Sequence, residues 1–498
     1  MVSFFLSLAI LVAGYFIYGK YISKVLGINP NAKTPAQVYR DDVDYVPLPT
    51  WRVFLIQFLN IAGLGPIFGA IIGVQYGPAS FLWIALGSVF AGGVHDFVSG
   101  MMSEHYRGTS LPEMVGIVLG NKIRYIMRIV TMVLLLLLGA VFVLNSADII
   151  HNLTNFNGLS LNFWIIVIFV YYILATMLPI DKLIGKIYPI FGIALLFMAG
   201  GIFVALMENL EYIPEFTDGL HNRYSNPDLH PLFPMMFVSI ACGAISGFHA
   251  SQSPLMARCL NNEKNAQVVF YGAMVCEGVV ALIWAAATIA FFKGDYGMLG
   301  DYMSNNTTGK FVNFLSTSWL GALGGVLAVI GVVVAPITSG DTAMRAARLI
   351  VEDILMLKSK KTWHRITITL SLFAIAFVIM QINYQVMWRY FGWFNQTLAV
   401  FALWACTAFL MRRKSNYFVT LIPAIFMTMV CALYILVAPE GITFDSTIVA
   451  NFVSAENVND VTYNVDLCIA GAITLFIIWL FWNSRKYYDR PDRIKQNH

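Results

Sequence analysis

Three titratable side chains lie inside apolar stretches of this sequence, where a charge is costly. His95 and Asp96 are adjacent within a glycine-rich run, and Glu277 occupies the middle of a later apolar run. Ionisable groups in such surroundings are usually paired or functional, and a histidine can change its charge near neutral pH. These residues therefore predict an element that handles protons or gates a pathway.

The geometry around His95 and Asp96 leaves a second reading open. Neighbouring side chains on a helix point about 100° apart, so we expect no simple face-to-face pair between the two, and Ser99, three residues after Asp96, could bond it. The alternative to proton handling is a structural salt bridge from Asp96 to Arg107, Arg258 or Arg345.

Two polar, glycine-rich stretches interrupt apolar segments and predict broken helices. In the first, Pro66 removes a backbone donor and clashes with the preceding turn. The second, residues 241–254, carries hydroxyl, amide and imidazole groups that a lipid-facing helix would not tolerate. Such breaks free backbone groups for a solute. The predicted solute-binding residues are Gly65, Pro66, Ile67, Gly69, Gln75, Ser246, Gly247, His249, Gln252, Ser253, Asn395 and Gln396.

Parts of this set have structural alternatives. The glycines could simply allow close helix packing, and His249 could be a hydrogen-bonded core histidine. Asn395 and Gln396 lie in an aromatic, apolar run, where an unbonded amide is expensive. They could bond a neighbouring helix break or the solute.

Hydroxyl groups near residue 338 predict a cation site. Thr338 and Ser339, with freed carbonyls from the first break, are hard oxygen ligands suited to sodium, and Asp341 is a further candidate for ion or proton coupling. The alternatives are helix capping with an Asp341–Arg345 pair, or a proton-coupled use of the region by Lys182 or Lys186.

The elements that position these residues are predicted to be membrane-spanning helices. The 498 residues are 58% hydrophobic and 12% charged, with a mean hydropathy of +0.71. This composition excludes a soluble enzyme, a disordered chain and a nucleic-acid-binding protein, because soluble domains are about one-quarter charged. Apolar length predicts thirteen spans. They are 3–19, 51–77, 79–103, 125–150, 160–180, 187–207, 232–256, 267–292, 313–340, 366–383, 391–411, 416–437 and 466–483.

Basic residues predict the orientation of these spans. With the N-terminus outside, 27 of the 31 Lys and Arg residues fall on the cytoplasmic side. We therefore expect a bacterial inner-membrane protein with a periplasmic N-terminus and a cytoplasmic C-terminus. The first segment has no basic region before it and is predicted to be a retained anchor rather than a signal peptide.

The two broken segments are five helices apart, which predicts a repeat. Residues 51–207 and 232–411 would form two five-helix halves, inverted because each half has an odd number of helices. The predicted fold is an all-α polytopic membrane protein with a five-plus-five inverted-repeat core. It forms a single transport domain over 1–498, with an anchor helix and cytoplasmic loop in 1–50 and two further helices with a cytoplasmic tail in 412–498.

Enzyme signatures are missing from the sequence. It contains no CxxC, HExxH or GxxxxGK[ST] pattern, so we expect no catalytic residue, resident metal or cofactor, and only a coupling proton or sodium ion.

Five strings, in order, resemble the carbon starvation protein (CstA-type) transporter family, in a short form without the extra C-terminal helices of long members. They are Gly65–Gln75, Ala91–Asp96, Gly243–Arg258, Thr338–Arg348 and Phe394–Ala399. The resemblance implies an amino acid–polyamine–organocation (leucine-transporter-like) fold. It also implies uptake of peptides, or of pyruvate, during nutrient starvation.

The predicted function is import of a small polar, carboxylate-bearing nutrient such as a peptide, an amino acid or pyruvate. Half-helix N-termini can receive a carboxylate through their free amides. A channel or nutrient sensor without coupled transport is the alternative. The expected partners are this solute and the lipid bilayer, with no nucleic acid, and the oligomeric state stays open.

Overall fold

A computed structural model describes residues 1–41, 45–154, 159–177, 180–328, 333, 335–355, 362–382, 384–439, 441–442 and 458–485. Within these ranges the protein is built from helices, and the β pairing is limited to one isolated bridge between Leu48 and Leu260. An all-helical fold is therefore confirmed.

The helices of the first part are α1 (Val2–Leu26), α2 (Thr50–Ile61), α3 (Gly65–Tyr76), α4 (Ala79–His105), α5 (Leu111–Leu119), α6 (Asn121–Thr154), α7 (Leu161–Met177) and α8 (Ile180–Leu206). Those of the second part are α9 (Leu232–Ser239), α10 (Ala241–Ala244), α11 (Gly247–Ala257), α12 (Glu263–Phe291), α13 (Tyr296–Asn305), α14 (Thr308–Ala328), α15 (Ala335–Ile354), α16 (Thr362–Ile379), α17 (Tyr384–Arg412), α18 (Phe418–Val437) and α19 (Val458–Asn483).

Eight helices in the described ranges are long and apolar enough to cross a membrane, and α2 with α3 would make a ninth, bent by 45°. The other four predicted spans are the shorter apolar helices α7 and α16, the three pieces α9–α11, and the segment shared by α14 and α15. The predicted span 313–340 is interrupted at Gly321, which has a non-helical φ of 64° inside α14. Thirteen spans remain a prediction.

The two ends of α1 define two faces of the molecule. At its start, the backbone N–H groups of Val2 and Ser3 each donate to the Glu215 carboxylate over 2.8 Å. Burial alone raises the pKa of Glu215, but hydrogen bonds from the terminal ammonium, Ser3 and Val2 bring it down to about 2. Beyond its far end, Asn29 N–H donates to Glu263 over 2.8 Å. We call these ends the Glu215 face and the Glu263 face.

Interhelical bonds hold α1, α4 and α12 together where each contains a π-helical stretch. These stretches are Gly14–Tyr18, Ser88–Gly92 and Gln267–Gly272. The Tyr271 hydroxyl donates to the Val89 carbonyl over 2.9 Å, and the Gln267 amide donates to the Tyr15 carbonyl over 3.1 Å. A π-helical turn widens the backbone ladder and is frequent at functional sites. Here it fixes α4 against α12, the helices that carry Asp96 and Glu277.

Candidate functional site

The first helix break lies between α2 and α3. Ala62 leaves helical geometry with φ −82° and ψ 43°, and α3 resumes at Gly65. Pro66 lies in the first turn of α3, where its missing N–H removes no helical hydrogen bond. The predicted break is confirmed, but it precedes Pro66 instead of being centred on it.

The second break separates α10 from α11. Ile245 and Ser246 are extended, with φ values of −158° and −141°, and an earlier irregularity at Ile240 isolates the four-residue α10. The predicted break is confirmed here as well. It falls directly before Gly247, the first residue of α11.

The two breaks lie against each other, as the sequence predicts. A Cβ atom added at Gly65 would lie 2.3 Å from Cβ and Sγ of Cys242 in α10. One added at Gly69 would lie 2.8 Å from the Ser239 carbonyl oxygen, and one at Gly243 would lie 3.8 Å from Cα of Pro66. The glycines therefore allow a backbone approach that larger residues would prevent. Solute binding by these residues, and by the buried Ile67 beside them, remains a prediction.

Asn395 and Gln396 of α17 form hydrogen bonds with the groups that the second break leaves without helical partners. Oδ1 of Asn395 accepts from the Phe248 N–H over 2.8 Å and from the Ser246 hydroxyl over 3.1 Å, and the Gln396 amide donates to the Ile245 carbonyl over 2.9 Å. These groups cap and brace the start of α11, which is the helix-break alternative left open by the sequence; solute binding by them remains a prediction. By contrast, no side chain within the described residues caps the start of α3.

Four fully buried titratable residues form a chain across α4, α11 and α12, which we call the acid–imidazole chain. Nδ1 of His95 lies 2.7 Å from Oδ1 of Asp96, and Nδ1 of His249 lies 2.9 Å from Oδ2 of Asp96. Nε2 of His249 lies 3.4 Å from Oε2 of Glu277, an ion-pair distance without hydrogen-bond geometry. All four side chains are 0% exposed, so the chain is shielded from solvent.

This arrangement differs from one expectation. His95 and Asp96 do pair directly, because the Cβ directions on a helix do not fix where flexible side-chain tips meet. His249 directs its two ring nitrogens at Asp96 and Glu277, and solute binding by His249 remains a prediction. Ser99 bonds the backbone carbonyl of Asp96 over 3.3 Å rather than its carboxylate.

The arginine alternatives for Asp96 find other partners. Arg258 donates to the Gly108 carbonyl over 2.8 Å, and Arg345 donates to the Ala175 carbonyl over 2.6 Å. Arg107 lies with its guanidinium carbon 5.8 Å from the Tyr39 ring centroid. Asp96 is therefore held by imidazoles, which can exchange protons near neutral pH, rather than by permanently charged groups.

The start of α15 lies beside the first break, as predicted. The Ser339 hydroxyl is 3.2 Å from the Asn60 carbonyl and 3.4 Å from the Leu59 carbonyl, both in the last turn of α2. Thr338 and Asp341 are buried in the same turn of α15. These oxygens form a candidate cation site, while the side chains of Lys182 and Lys186 lie outside the described residues.

Gln75 lies at the end of α3 that is farther from the break, and solute binding by it remains a prediction. It follows Gly65 by ten residues, a rise of about 15 Å along a helix, and its amide donates to the Ile72 carbonyl over 3.2 Å. In α11, the Ser253 hydroxyl donates to the His249 carbonyl over 3.0 Å, an ordinary bond within the helix. The Gln252 amide contacts the Ser251 hydroxyl over 3.1 Å.

Gln57 and Asn60 are buried amides that the sequence analysis did not propose as solute ligands. Both are 0% exposed, and none of their side-chain oxygen and nitrogen atoms has a hydrogen-bond partner in the part of the chain that the structure describes. They are three residues apart on α2, which packs against α11. Amides at this spacing in an apolar helix share one face, and that pattern was the available signal.

The described ranges contain no group of three or more His, Cys, Asp or Glu side chains arranged to hold a metal ion. All six cysteines are free thiols.

Comparisons with known proteins identify relatives over most of the chain. The family profile described as "Carbon starvation protein CstA" matches residues 1–155, 145–319 and 307–434. An uncharacterized membrane protein of Haemophilus influenzae is 40% identical over 59% of this chain and 92% of its own length. The peptide transporter CstA of Campylobacter jejuni is 27% identical over 86% of this chain and 78% of its own.

A more distant relative and a solved structure extend this picture. The pyruvate/proton symporter BtsT of Escherichia coli is 28% identical over 58% of this chain and 49% of its own. The crystal structure of the Eremococcus coleocola manganese transporter superposes with a TM-score of 0.51 at 12% identity, covering 90% of this chain and 99% of that one. At this identity the superposition shows a shared fold. On the extent of the profile match, the chain belongs to the carbon starvation protein CstA family.

Proposed function

We propose that this protein is a secondary transporter that imports a small carboxylate-bearing nutrient and couples its uptake to protons. Relatives named as a peptide transporter and as a pyruvate/proton symporter support this class of activity. The observation that carries the proposal is the buried acid–imidazole chain, which joins a broken helix to two of the most enclosed spans.

The proposed solute site lies between the two breaks. Within the described residues, the N-terminus of α3 has no side-chain cap, whereas that of α11 is occupied by Asn395. An uncapped helix start presents free N–H groups and a positive dipole end to a carboxylate. Gln57 and Asn60 lie before the break, and their amides have no hydrogen-bond partner in the described part of the chain. Peptides, amino acids and pyruvate all carry the carboxylate that this arrangement would recognise.

The acid–imidazole chain is the proposed coupling element. Asp96 is shared by His95 and His249, so a proton gained by either ring is stabilised by the Asp96 carboxylate. For His249, Glu277 provides a second carboxylate. Because His249 lies in the first turn of α11, a change in its protonation acts on the broken helix itself. Binding of a solute at the break and of a proton in the chain can thereby favour the same conformation.

Sodium is the second candidate coupling ion, and a separate observation favours it. The Ser339 hydroxyl and the Leu59 and Asn60 carbonyls already converge within hydrogen-bonding distance, and Thr338 is one residue away. A small hard cation could be bound by the Ser339 hydroxyl oxygen together with these two carbonyls, with the hydroxyl hydrogen turned away from the ion; Asp341, two residues later, is the nearest carboxylate in sequence.

We further propose that ten of the thirteen predicted spans form two inverted five-helix halves in the bacterial inner membrane, with the Glu215 face periplasmic. The contact between the breaks supports the inverted halves, since discontinuous helices of paired repeats meet at a central site. The superposition on a transporter over nine-tenths of this chain supports the same architecture.

The test is uptake of labelled pyruvate and of labelled dialanine into proteoliposomes under an imposed gradient. With one proton per solute, a gradient of about one pH unit supports about tenfold accumulation, because each unit is worth about 1.4 kcal/mol. A protonophore should abolish this accumulation. Accumulation that follows a sodium gradient instead would transfer coupling to the Ser339 site. Flux that is downhill and independent of both gradients would identify a channel, and an absence of flux for every solute would favour a sensor.

A further inference from the structure

A cavity of about 410 Å³ opens on the Glu263 face, away from the helix breaks. Its walls come from the loop after α1, the end of α4, the start of α12 and the residue after α17. The charged and titratable side chains that line it are Lys33, Glu104, His105, Arg107, Glu263 and Arg413. Sites for small molecules commonly occupy about 300–1,000 Å³, so this cavity has room for a dipeptide.

Glu104 is an unpaired acid in the wall of this cavity. Its side chain is 8% exposed, and no hydrogen bond or ion pair engages its carboxylate within the described residues. The charged groups that act on it are Glu263, with the same sign, and Arg413, with the opposite sign. A buried carboxylate without a partner is destabilising, and a second carboxylate nearby adds repulsion. A cationic ligand group between the two glutamates would relieve both effects.

The same cavity also carries cations that are not engaged by acids. Arg413 stacks over the Phe409 ring at 5.5 Å and Arg107 over the Tyr39 ring at 5.8 Å, and Lys33 is exposed at the rim. None of the three forms an ion pair within the described ranges. A guanidinium that lies over an aromatic ring can still use its N–H donors, and those donors match a carboxylate.

The wall that contains Lys33 is held in place by bonds to the segment before α12. The Gln37 amide donates to the Asn261 carbonyl over 3.0 Å, and the Asn262 amide donates to the Pro30 carbonyl over 2.8 Å. Cations and acids therefore face one enclosed space in a fixed arrangement.

We propose that this cavity is a second binding site, separate from the helix breaks, for a zwitterion such as a free amino acid or a short peptide. The ligand ammonium lies between Glu104 and Glu263, and the ligand carboxylate lies towards Arg413 and Arg107. Pyruvate and inorganic phosphate have no ammonium, so they leave Glu104 unpaired and bind weakly. That the site faces the cytoplasm rests on the proposed orientation, but binding itself does not.

The test measures ligand protection of a cysteine in the cavity wall. Ala32 lines the cavity, so Ala32→Cys is introduced with the exposed Cys468 replaced by Ser, and the purified full-length protein is labelled with a maleimide. We expect L-alanyl-L-alanine to slow labelling about tenfold at saturation, whereas N-acetyl-dialanine, pyruvate and phosphate leave the rate unchanged. Glu104→Gln and Arg413→Gln should each remove the protection.

Two controls separate this site from general effects. Lys414→Gln removes a neighbouring exposed charge that does not line the cavity, and protection should persist. His249→Gln alters the acid–imidazole chain, and protection should persist there too. Equal labelling with and without dialanine would overturn the proposal, as would equal protection by pyruvate or phosphate, or loss of protection in either control. Labelling needs no transport, so its outcome tests the cavity even if the uptake experiment fails.

Discussion

Asp96 is the residue on which the proposed coupling depends, because its two carboxylate oxygens engage different histidines. One oxygen meets His95 at 2.7 Å on its own helix, and the other meets His249 at 2.9 Å across to α11. A single carboxylate thus links a rigid, enclosed helix to a broken one. In a site without solvent, such a shared group stabilises whichever imidazole carries the proton.

Asp96→Asn should uncouple transport without abolishing solute binding. The amide keeps the size of the side chain but has neither the negative charge nor the proton affinity of the carboxylate. We expect the gradient-driven accumulation, about tenfold per pH unit for one proton, to fall to the level reached without a gradient. Solute counterflow, which needs no proton gradient, should continue. Both are measured in the same proteoliposomes.

Ser99→Ala is the matched control on α4, because Ser99 donates only to the backbone carbonyl of Asp96. It should keep its accumulation. Undiminished accumulation in Asp96→Asn would show that this carboxylate has a purely structural role.

The residue types of the acid–imidazole chain were predictable from the sequence, but the contacts between them were not. A histidine, an aspartate and a glutamate inside apolar runs are conspicuous by their solvation cost. That His249 joins Asp96 to Glu277 depends on how α11 packs against α4 and brings His249 within reach of α12, which no local pattern encodes. Gln57 and Asn60 were overlooked for the same reason, since their significance lies in the missing partners.

At the scale of elements, the contact between α3 and α10 depends on complementary sizes. Gly65 has no side chain where Cys242 presents one, and an added Cβ atom would lie 2.3 Å from both Cβ and Sγ of that cysteine. The two broken helices are therefore fitted to each other at one pair of residues. This pair offers a direct test of whether their close approach matters for transport.

Gly65→Ala should impair both folding stability and uptake, and Cys242→Gly should restore part of each in the double variant. Overpacking of this kind costs about 1–3 kcal/mol. Once the cysteine side chain is removed, the nearest atom of residue 242 is its Cα at 3.8 Å, an ordinary contact. Thermal unfolding and counterflow of the four proteins in a double-mutant cycle measure the coupling.

Gly200→Ala in α8 is the control, because an added Cβ atom there meets nothing within 4 Å. It should behave like the parent protein. If Gly65→Ala were equally harmless, or if Cys242→Gly gave no recovery, the breaks would not be in the close contact described above.

The existence of the two helix breaks was predictable because proline and glycine affect the backbone at their own positions. The exact residues were harder to predict. The first break precedes Pro66, since proline is well tolerated in the first turn of the new helix. The capping by Asn395 came from nearly 150 residues further along the chain, and only the buried polarity of that helix hinted at it.

For the whole molecule, the distribution of basic residues and the position of α1 agree on which two faces lie on opposite sides of the membrane. The 25 residues of α1 extend for about 37 Å, enough to cross the hydrocarbon core, and its two ends contact the loops that carry Glu215 and Glu263. Hydropathy found these long spans, but it placed the span 313–340 across the non-helical residue Gly321. Average hydropathy is insensitive to a single glycine with positive φ.

The membrane orientation of the protein can be tested with two exposed positions on opposite faces. Asp228 lies in the same loop as Glu215, and Asn31 lies in the loop that is bonded to the segment before α12. With Cys468 replaced by Ser, Asp228→Cys should react with a membrane-impermeant maleimide in intact spheroplasts. Asn31→Cys should react only after the membrane is opened. In the predicted orientation, 27 of the 31 basic residues lie on the same side as Asn31, and an excess of basic residues marks the cytoplasmic side. The opposite labelling pattern would invert the molecule and place the zwitterion cavity outside, where it would meet the nutrient before transport rather than after it.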